Sequence, residues 1–439
     1  MKKLVVPVVI IVLMTNAILA QTQCNWDSLP NAPFLPDYKH DDAYFVNANL
    51  GWAVNGPITA GDSGKIHKTT DGGQTWNLQF SVQGSRFRSV GFTDSLKGWI
   101  GNLGAGIYPI VTDTNIFYQT LDGGNTWTVV QNITGAKPEG ICGINVVNDT
   151  LIYACGRLEG PGRFLKSIDG GNNWVSQDMN AYAGMLIDLH FWSPDSGIVV
   201  GGTTNNYATS KGLVLFTSDG GQTWQTKHIT GQTGGTCWKI SFPSPNVGYV
   251  SWETLSAPVI FLKTTDGGQT WQDKLFSNNS YETEGIGFIN DTLGWMGARN
   301  EVSFQTTDGG DTWQQGFVGS FLNRFRFLND TLGYAVGETV YKYSCNTITG
   351  VDEVKLNKDA AFQLYPNPFN TSITLDVGKS IGTGVSFTLY DLFGRQVKKV
   401  DNIDTEKTEI KTGALKRGMY TYNISNAKGT IRTGKIILE

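Results

Sequence analysis

Thr69-Thr70-Asp71-Gly72-Gly73-Gln74-Thr75-Trp76 contains the first of six copies of one short motif in this chain of 439 residues. The aspartates of the copies lie 51, 47, 50, 47 and 42 residues apart, at Asp71, Asp122, Asp169, Asp219, Asp266 and Asp308. A repeat of this period is typical of four-stranded propeller blades. The motif therefore predicts an all-β propeller, although it indicates little about activity.

The motif, which we call the Asp box, has a structural and a functional interpretation. A carboxylate followed by two glycines suits a tight hairpin loop, since the carboxylate accepts backbone N–H groups and glycine adopts positive φ. The tryptophan that ends each copy offers an apolar anchor between blades. A calcium loop is the alternative, but it needs several oxygen ligands, and the repeated positions offer one carboxylate per copy. We therefore interpret the six boxes as scaffold and expect no metal and no cofactor.

A glycine followed by an aromatic or apolar residue forms a second periodic signal that alternates with the boxes. Its members are Gly51, Gly98, Gly197, Gly248, Gly294 and Gly333, with Ile152-Tyr153 in the corresponding place of the third unit. Each unit then predicts an inner strand, a turn, a second strand, a variable loop, a third strand, the box and an outer strand. The count is seven, so the sequence predicts a seven-bladed β-propeller over residues 21–348.

The last unit lacks its box, and the N-terminus supplies the missing half. Cys345 stands where the box aspartate is expected, and Cys24 precedes Trp26, which matches the tryptophan that follows a box. We expect the N-terminal strand to complete the last blade and a Cys24–Cys345 disulfide to close the ring. In the chain-entropy model a bond across so long a loop stabilises by roughly 4 kcal/mol or more. Two unrelated thiols are the alternative.

The other cysteines give a less definite prediction. Cys142 and Cys155 flank the Asn148-Asp149 turn symmetrically, and spacing does not decide whether they bond. Cys237 is left over, and we expect it to be a small buried side chain in an inner strand.

The N-terminus and the composition indicate export. Lys2 and Lys3 precede an apolar run that ends at Ala20, which predicts a signal peptide over residues 1–20 and no transmembrane segment after its cleavage. A lipid anchor on Cys24 is disfavoured because Gln23 stands where a small residue is needed. The net charge of −4 gives no reason to expect nucleic acid or an anionic membrane as a partner.

The pattern changes near Gly350. A charged linker is predicted over 349–360, and short alternating strands over 361–439 predict a small immunoglobulin-like β-sandwich. The tail has Tyr-Pro-Asn-Pro at 365–368, Leu-Tyr-Asp and Gly-Arg within 389–395, Leu-x-x-Gly-x-Tyr at 415–420 and Lys-Ile at 435–436. In these features it resembles the type A C-terminal sorting domain of the Bacteroidota type IX secretion system. The resemblance implies type IX secretion machinery as a partner and a secreted or outer-membrane surface location in a Gram-negative bacterium.

The ring has its own resemblance. The order of an aromatic strand, Gly-Trp-Ala-Val and a Thr-x-Asp-Gly-Gly-x-Thr-Trp box is similar to the photosystem II assembly and stability factor propellers, which are seven-bladed. Sialidases, xyloglucanase-type glycosidases and sortilin-like receptors share the box alone. The resemblance implies the fold and a non-catalytic, partner-holding role. The photosynthetic role does not carry over, because the signal peptide and the sorting tail place this chain outside the cell.

An enzymatic alternative stays open. No Arg-Ile-Pro stretch of the sialidase type occurs, and the chain has one ring where xyloglucanases pair two. Propeller ligands bind on the loop face opposite the boxes, so carboxylates there could serve a secreted glycoside hydrolase. The charged and aromatic residues that we place on that face are Asp41, Asp42, Arg86, Arg88, Glu139, Arg157, Glu159, His190, Trp192, Trp238, Lys239, Glu253, Glu282, Glu284, Arg299, Glu301, Arg324, Arg326 and Glu338.

Binding is the function that the sequence favours. Arg86-Phe87-Arg88 and Arg324-Phe325-Arg326 come just before or at inner strands of blades that are near neighbours in the ring, which suggests a basic, aromatic rim. The equally weighted alternative is that each arginine pairs with a neighbouring acid. We expect a protein or a polysaccharide to bind there, through Arg86, Arg88, Tyr108, Trp192, Trp238, Arg324 and Arg326.

Overall fold

The computed structural model of the chain describes residues 21–56, 59, 61–107, 110–299, 303–316, 318–348, 363–377, 384–391, 395–413, 415–426 and 429–439. The predicted signal peptide (1–20), the predicted linker (349–360), Tyr108 and Glu301 lie outside the described residues. Every regular element in the described part is a β-strand. The chain contains a ring, Gln23–Asn346, and a C-terminal unit that extends from Thr347 to Glu439.

Seven β-sheets build the ring, so the predicted seven-bladed propeller is confirmed. The strand β1 (Gln21–Ser28) comes first in the chain. Blade one contains β2 (His40–Phe45), β3 (Gly51–Asn55), β4 (Ser63–Thr69) and β5 (Asn77–Gln83). Blade two contains β6 (Phe87–Phe92), β7 (Gly98–Asn102), β8 (Phe117–Thr120) and β9 (Thr128–Val129). Blade three contains β10 (Ile133–Gly135), β11 (Gly143–Val146), β12 (Ile152–Gly156), β13 (Arg163–Ser167) and β14 (Trp174–Asp178). In the third blade, β10 adds a fifth strand parallel to β14.

Blades four to six repeat the antiparallel four-stranded pattern. Their strands are β15 (Met185–Phe191), β16 (Gly197–Gly202), β17 (Gly212–Thr217) and β18 (Gln225–Ile229); β19 (Gly235–Ser241), β20 (Gly248–Thr254), β21 (Val259–Thr264) and β22 (Gln272–Ser277); and β23 (Thr283–Phe288), β24 (Gly294–Ala298), β25 (Phe304–Thr306) and β26 (Gln314–Gln315). In each blade the first strand of the four is the innermost one and the fourth is the outer edge.

The seventh blade is shared between the two ends of the ring. Its strands β27 (Arg324–Asn329), β28 (Leu332–Val336) and β29 (Val340–Ile348) are completed by β1 on the outer side, in the order β1-β29-β28-β27. Cys24 in β1 and Cys345 in β29 form a disulfide across a sequence separation of 321 residues. Trp26 packs edge-on against Trp295 at 5.5 Å between ring centroids, in the place of a box tryptophan.

The periodic glycines are explained by aromatic packing between blades. A Cβ atom on Gly51 would lie 2.3 Å from the ring of Phe45, so only glycine leaves room for that phenylalanine. Four of these phenylalanines stack on the second-strand aromatic of the preceding blade at 3.5 to 3.8 Å between centroids, for example Phe92 on Trp52 at 3.5 Å. At the seam, Phe45 stacks on Tyr334 at the same distance. One repeated contact therefore holds neighbouring blades together.

The Asp boxes are hydrogen-bonded hairpins. Asp71 accepts hydrogen bonds from the Thr69 hydroxyl and from the Thr75 backbone and hydroxyl, at 2.6 to 2.9 Å. The Thr75 bonds are the main cause that lowers the pKa of Asp71 to about 2. Gly72 and Gly73 have φ of 71° and 94°. Because these local donors engage the carboxylate, the box acts as a turn, and among the described residues no cluster of His, Cys, Asp or Glu is arranged to hold a metal ion.

The C-terminal unit is a β-sandwich. One sheet has the order β30 (Gln363–Tyr365), β31 (Ser372–Asp376), β34 (Lys407–Lys411); the other has β33 (Gln396–Ile403), β32 (Val385–Tyr390), β35 (Gly418–Asn426), β36 (Gly429–Leu438). Alternating side chains such as Ile373, Leu375 and Phe387 form a buried core of its own. The described residues include no helix with the length and hydropathy of a membrane span.

Loss of the ring-closing disulfide should weaken the ring. Replacing Cys24 and Cys345 with serine is expected to lower the free energy of unfolding by on the order of 5 kcal/mol, because the unfolded chain is then no longer restricted by the cross-link. All 13 tryptophans lie in the ring, so their fluorescence during urea unfolding measures ring stability. A reductant should shift wild type toward the double variant and leave the variant itself unchanged. Equal urea midpoints for the two proteins would contradict a role for the bond in closure.

Candidate functional site

The inner strands carry β-bulges that aim extra side chains at the centre of the ring. The register of the first two strands shifts in blades one, two, four, five and six. A bulge leaves one or two residues outside the ladder and redirects them. The residues set free in this way include Asp41, Arg88, Trp238, Lys239 and Glu284. Four of these five are charged, so the strand geometry itself concentrates charge at the centre.

A cavity of about 280 Å³ lies above these bulges, on the face opposite the Asp boxes. The starts of the inner strands and the loops that join second and third strands form its walls. We call the cavity with these walls the funnel. The lining residues are Tyr38, Lys39, Arg86, Arg88, Leu103, Leu158, Glu159, Tyr207, Trp238, Glu253, Leu255, Glu284, Arg299 and Phe321. The loop face predicted from the sequence therefore does contain a pocket.

The predicted basic rim is not a set of uncompensated cations. Arg324 is buried and donates to both oxygens of Asp188, at 2.7 and 3.0 Å, and to Asp42 at 3.1 Å. Arg326 bonds the same Asp42 at 3.2 Å. Burial opposes the charge on Arg324, but the two aspartates raise the pKa of its guanidinium. For Arg324 and Arg326 the structure therefore shows the alternative, in which each arginine pairs with an acid.

The two cavity arginines are also engaged. Arg88 is buried and forms an ion pair with Asp41, and Arg86 lies 3.9 Å from the same carboxylate. Burial alone would raise the pKa of Asp41, but Arg88, Arg86 and Lys39 bring it below its ordinary value. Arg86 also lies over the ring of Tyr38, at 5.5 Å from the centroid. Arg86 and Arg88 line the cavity as predicted, while Arg324 and Arg326 do not.

The two predicted tryptophans lie on different faces of the ring. Trp238 lines the cavity but is only 3% exposed, because Lys39 and Arg88 lie 5.5 and 4.9 Å from its ring centroid. Its indole N–H donates to Asn323 at 2.8 Å, which fixes its orientation. Trp238 is therefore a fixed part of the cavity wall.

Trp192 was wrongly placed on the funnel face. It follows the end of β15, where the chain turns on the side of the boxes, and it lies 3.5 Å from the position of a Cβ on Gly268 in the fifth box. His190 packs beside it at 5.2 Å. The error arises because the start of an inner strand reaches the funnel and its end reaches the opposite face.

Carboxylates dominate the wall formed by blades five and six. Glu284 is buried and paired with Lys39, and Glu282 is paired with Arg299 at 2.9 Å. Glu253 is partly buried and lines the cavity. Burial, with Glu284 as the next cause, raises the pKa of Glu253 to about 7. The Tyr207 hydroxyl donates to the backbone carbonyl of Glu253 at 2.8 Å.

Backbone strain is concentrated at the funnel. Among the described residues of the ring, the non-glycine residues with positive φ are Asp37, Glu159 and Phe321, with φ between 55° and 57°. Glu159 and Phe321 line the cavity, and Asp37 directly precedes the lining residues Tyr38 and Lys39. Left-handed backbone at non-glycine residues costs free energy and often occurs at functional sites.

Arg157 holds the strained loop in place. Its guanidinium donates to the backbone carbonyls of Gly160 at 2.7 Å and Ala105 at 2.9 Å, and to the Glu139 carboxylate at 3.0 Å. The loop that carries Glu159 is thus tied to the neighbouring blade. The sequence pattern did not identify Tyr38, Lys39 or Tyr207 as cavity residues, because their loops have no repeat to align.

Lys239 is buried at the centre of the ring. Its ammonium group has no hydrogen-bond partner among the described residues. Burial, with Arg324 as the next cause, lowers its pKa to about 7. It does not line the cavity. Cys142, Cys155 and Cys237 are buried free thiols, and burial raises the pKa of Cys237 well above its ordinary value. These thiols are therefore poor nucleophiles.

Comparison with known protein families agrees with both units. Residues 363–439 match the model described as the secretion system C-terminal sorting domain. Residues 185–280 match the model described as photosynthesis system II assembly factor YCF48. The ring is homologous to these assembly-factor propellers, and the tail is a sorting domain that makes the chain a cargo of the type IX secretion system. The chain is therefore secreted or displayed on the surface of a Bacteroidota-type cell.

Curated relatives support the same homology. The photosystem II assembly lipoprotein Ycf48 of Nostoc sp. (strain PCC 7120) is 24% identical over 193 residues, which cover 44% of this chain and 50% of that protein. The Ycf48 of Trichormus variabilis matches with the same identity and coverage. The chain thus spans about half the length of the curated relatives it matches.

Solved structures share the ring fold. A structure of YCF48 bound to D1 peptide has 20% identity and a TM-score of 0.52, over 73% of this chain and 96% of that one. YCF48 from Cyanidioschyzon merolae has 17% identity and a TM-score of 0.51, over 73% and 98%. The GH74 xyloglucanase from Xanthomonas campestris has 12% identity and a TM-score of 0.53, over 81% and 60%. At these identities the likeness establishes the fold alone.

Removing Arg324 should destabilise the ring far more than removing Arg326. The Arg324→Ala variant leaves Asp188 buried without its main partner and removes one of the two arginines that bond Asp42, which is expected to cost about 3–5 kcal/mol. The side chain of Arg326 is 31% exposed, so Arg326→Ala should cost about 1 kcal/mol or less. Urea unfolding followed by tryptophan fluorescence measures both. Similar losses for the two variants would contradict the central role assigned to Arg324.

The raised pKa of Glu253 predicts a pH-dependent stability difference. The folded ring binds this proton up to about pH 7, whereas the unfolded chain releases it near the ordinary carboxyl pKa. Ionisation of Glu253 therefore destabilises the ring as the pH rises through this interval. The neutral Glu253→Gln variant should be the more stable protein at pH 8 by about 1–3 kcal/mol, and should differ little at pH 5. The matched control is Asp149→Asn, at an exposed turn on the box face. If the difference in stability between Glu253→Gln and wild type did not depend on pH, the raised pKa of Glu253 would be refuted.

Proposed function

We propose that the ring is a non-catalytic binding module, and that its funnel holds an extended segment of a protein partner outside the cell. The observation that carries the proposal is the cavity, which combines aliphatic, aromatic and charged side chains from most of the blades around the ring. Charged groups in a largely enclosed cavity suit recognition of a specific segment. The strained backbone at Glu159 and Phe321 supports a site whose shape is fixed before binding.

A protein segment fits this cavity better than a polysaccharide does. Sugars bind to aromatic side chains by stacking on an open ring face. Here the indole of Trp238 is covered by Lys39 and Arg88, and the ring of Tyr38 faces Arg86. A peptide instead needs hydrogen-bonding and charged groups with a few apolar contacts. YCF48, whose ring has this fold, has a structure bound to D1 peptide.

A secreted glycoside hydrolase is the second candidate, and one observation favours it. Glu253 and Glu284 line the same cavity from neighbouring blades, and the pKa of Glu253 is raised to about 7 while Glu284 is held in an ion pair with Lys39. A protonated acid beside an ionised carboxylate is the arrangement that glycosidases use. The GH74 xyloglucanase from Xanthomonas campestris shares the ring fold.

A matched pair of bulky substitutions tests where the partner binds. Leu255 lies at the cavity and is 60% exposed, while Leu121 lies beside a box and is 61% exposed. Peptides selected from a random display library on the chain from Gln21 to Glu439 should bind wild type and Leu121→Trp. They should lose at least tenfold in affinity for Leu255→Trp, measured by calorimetry.

Other outcomes would redirect the assignment. Peptides that bind Leu255→Trp as tightly as wild type would refute the funnel as the site. Glycans on an array that bind wild type but not Leu255→Trp, with no peptide selected, would make the ring a polysaccharide-binding module. Release of reducing ends from β-glucans or sialylated glycans that is lost in Glu253→Gln would make it a hydrolase.

A further inference from the structure

Each cation of the funnel already has a carboxylate partner. The lining cations are Lys39, Arg86, Arg88 and Arg299. Each has an acid partner, which is Glu284 for Lys39, Asp41 for both Arg86 and Arg88, and Glu282 for Arg299. An anionic ligand would have to compete with these carboxylates for its contacts.

Two carboxylates of the lining have no such partner. Among the described residues no Lys, Arg or His nitrogen lies within 4.0 Å of the carboxylate of Glu159 or Glu253. The lining itself holds three carboxylates, those of Glu159, Glu253 and Glu284, and four cations. Lys39 and Arg88 act on Glu253 electrostatically, but neither lies within 4.0 Å of its carboxylate, and burial disfavours the charged form of Glu253. A ligand that supplies a positive charge would give Glu253 and Glu159 a direct partner.

We propose that the funnel receives a lysine or arginine side chain from the extended segment of a protein partner. This inference rests on the proposed function and names the chemistry of the partner. Glu253 and Glu159 provide the carboxylates for the charged head. Tyr207, whose hydroxyl is bonded to the Glu253 carbonyl, provides an aromatic neighbour.

The apolar part of the lining matches the rest of such a side chain. Leu103, Leu158 and Leu255 line the cavity together with the acids. Lysine and arginine carry an alkyl stem below the charged head, and the stem packs on apolar surface while the head bonds to polar groups. A cavity that combines leucines with carboxylates that have no cation within 4.0 Å is complementary to both the stem and the head. A small metal ion would use the acids but not the leucines.

The position of Glu159 adds specificity to this arrangement. Its φ of 57° is imposed by the loop that Arg157 ties to Gly160, Ala105 and Glu139. The backbone of Glu159 is therefore held at the cavity before any ligand arrives. Binding then does not have to order this loop, which lowers its entropic cost.

Synthetic pentapeptides with one variable position test the inference. The probes are acetyl-Gly-Ser-X-Ser-Gly-amide with X as lysine, arginine, norleucine, citrulline or glutamate, titrated into the chain from Gln21 to Glu439 at pH 8. The lysine and arginine peptides should bind at least tenfold more tightly than norleucine and citrulline, and the glutamate peptide should be weakest. Glu253→Gln should remove most of this preference, Glu159→Gln part of it, and the control Asp149→Asn none.

The pH dependence gives a second, independent measurement. The groups that face Glu253 are Glu284, Lys39, Tyr207, Arg88 and Arg299. Burial, with Glu284 as the next cause, raises the pKa of Glu253 to about 7. Affinity for the lysine peptide should fall at least fivefold from pH 8 to pH 6 in wild type and stay constant in Glu253→Gln. A pH-independent affinity in wild type would overturn the role given to Glu253.

The two proposals fail in different ways. If library peptides bind at the funnel but lysine and norleucine probes bind equally, or none of the probes binds, the inference is wrong and the proposed function stands. If neither library peptides nor probes bind, both are wrong. Fluorescence-detected unfolding of Glu253→Gln and Glu159→Gln separates a lost contact from a lost fold.

Discussion

The stacking of an inner-strand phenylalanine on an aromatic ring of the preceding blade is the contact on which the ring depends. It needs a glycine below the phenylalanine, since a Cβ at Gly51 or Gly98 would overlap the ring. Four of the blade-to-blade contacts have this form, including the one at the seam, so the ring closes with the same contact that joins its other blades. At the seam Phe45 meets Tyr334 in the same geometry as Phe92 and Trp52. The disulfide between Cys24 and Cys345 then holds the strand that completes the seam blade. Closure is thus needed for the first and last blades to bury the surfaces that the other blades bury against their neighbours.

Closure also brings the inner strands together, and their bulges place charged groups where water is scarce. Such groups are tolerated only when they are paired. The pairs join residues far apart in sequence, as when Arg324 bonds Asp188 and Asp42 across the centre. These pairs fix the strand starts relative to one another, and the funnel cavity lies directly above them. The scaffold and the candidate site therefore share one set of side chains, which is why substitutions of buried arginines test stability and cavity substitutions test binding.

Local repetition made the fold predictable, and its absence made the site difficult to predict. The boxes and glycines are short patterns with a direct steric cause, so the seven blades and the shared last blade follow from the sequence. The arginines were identified as residue types, but their partners lie in other blades, 136 or more positions away for Arg324 and 47 for Arg88, and no local pattern reveals them. Trp192 was misplaced because a residue at the end of an inner strand faces the box side. Tyr38 and Tyr207 belong to loops without a repeat, and only the closed ring brings them to one cavity.

The funnel carries features that a scaffold alone does not require. A purely structural centre would be at least as stable with apolar side chains in place of Glu253, because its ionisation is opposed by burial and by Glu284. The left-handed backbone at Glu159 likewise costs free energy. On the opposite face the box carboxylates are bonded by their own loops, as Asp71 is by Thr69 and Thr75. Costs that remain uncompensated are therefore found at the funnel, and a ligand that brings a positive charge and an apolar stem would compensate the larger of them.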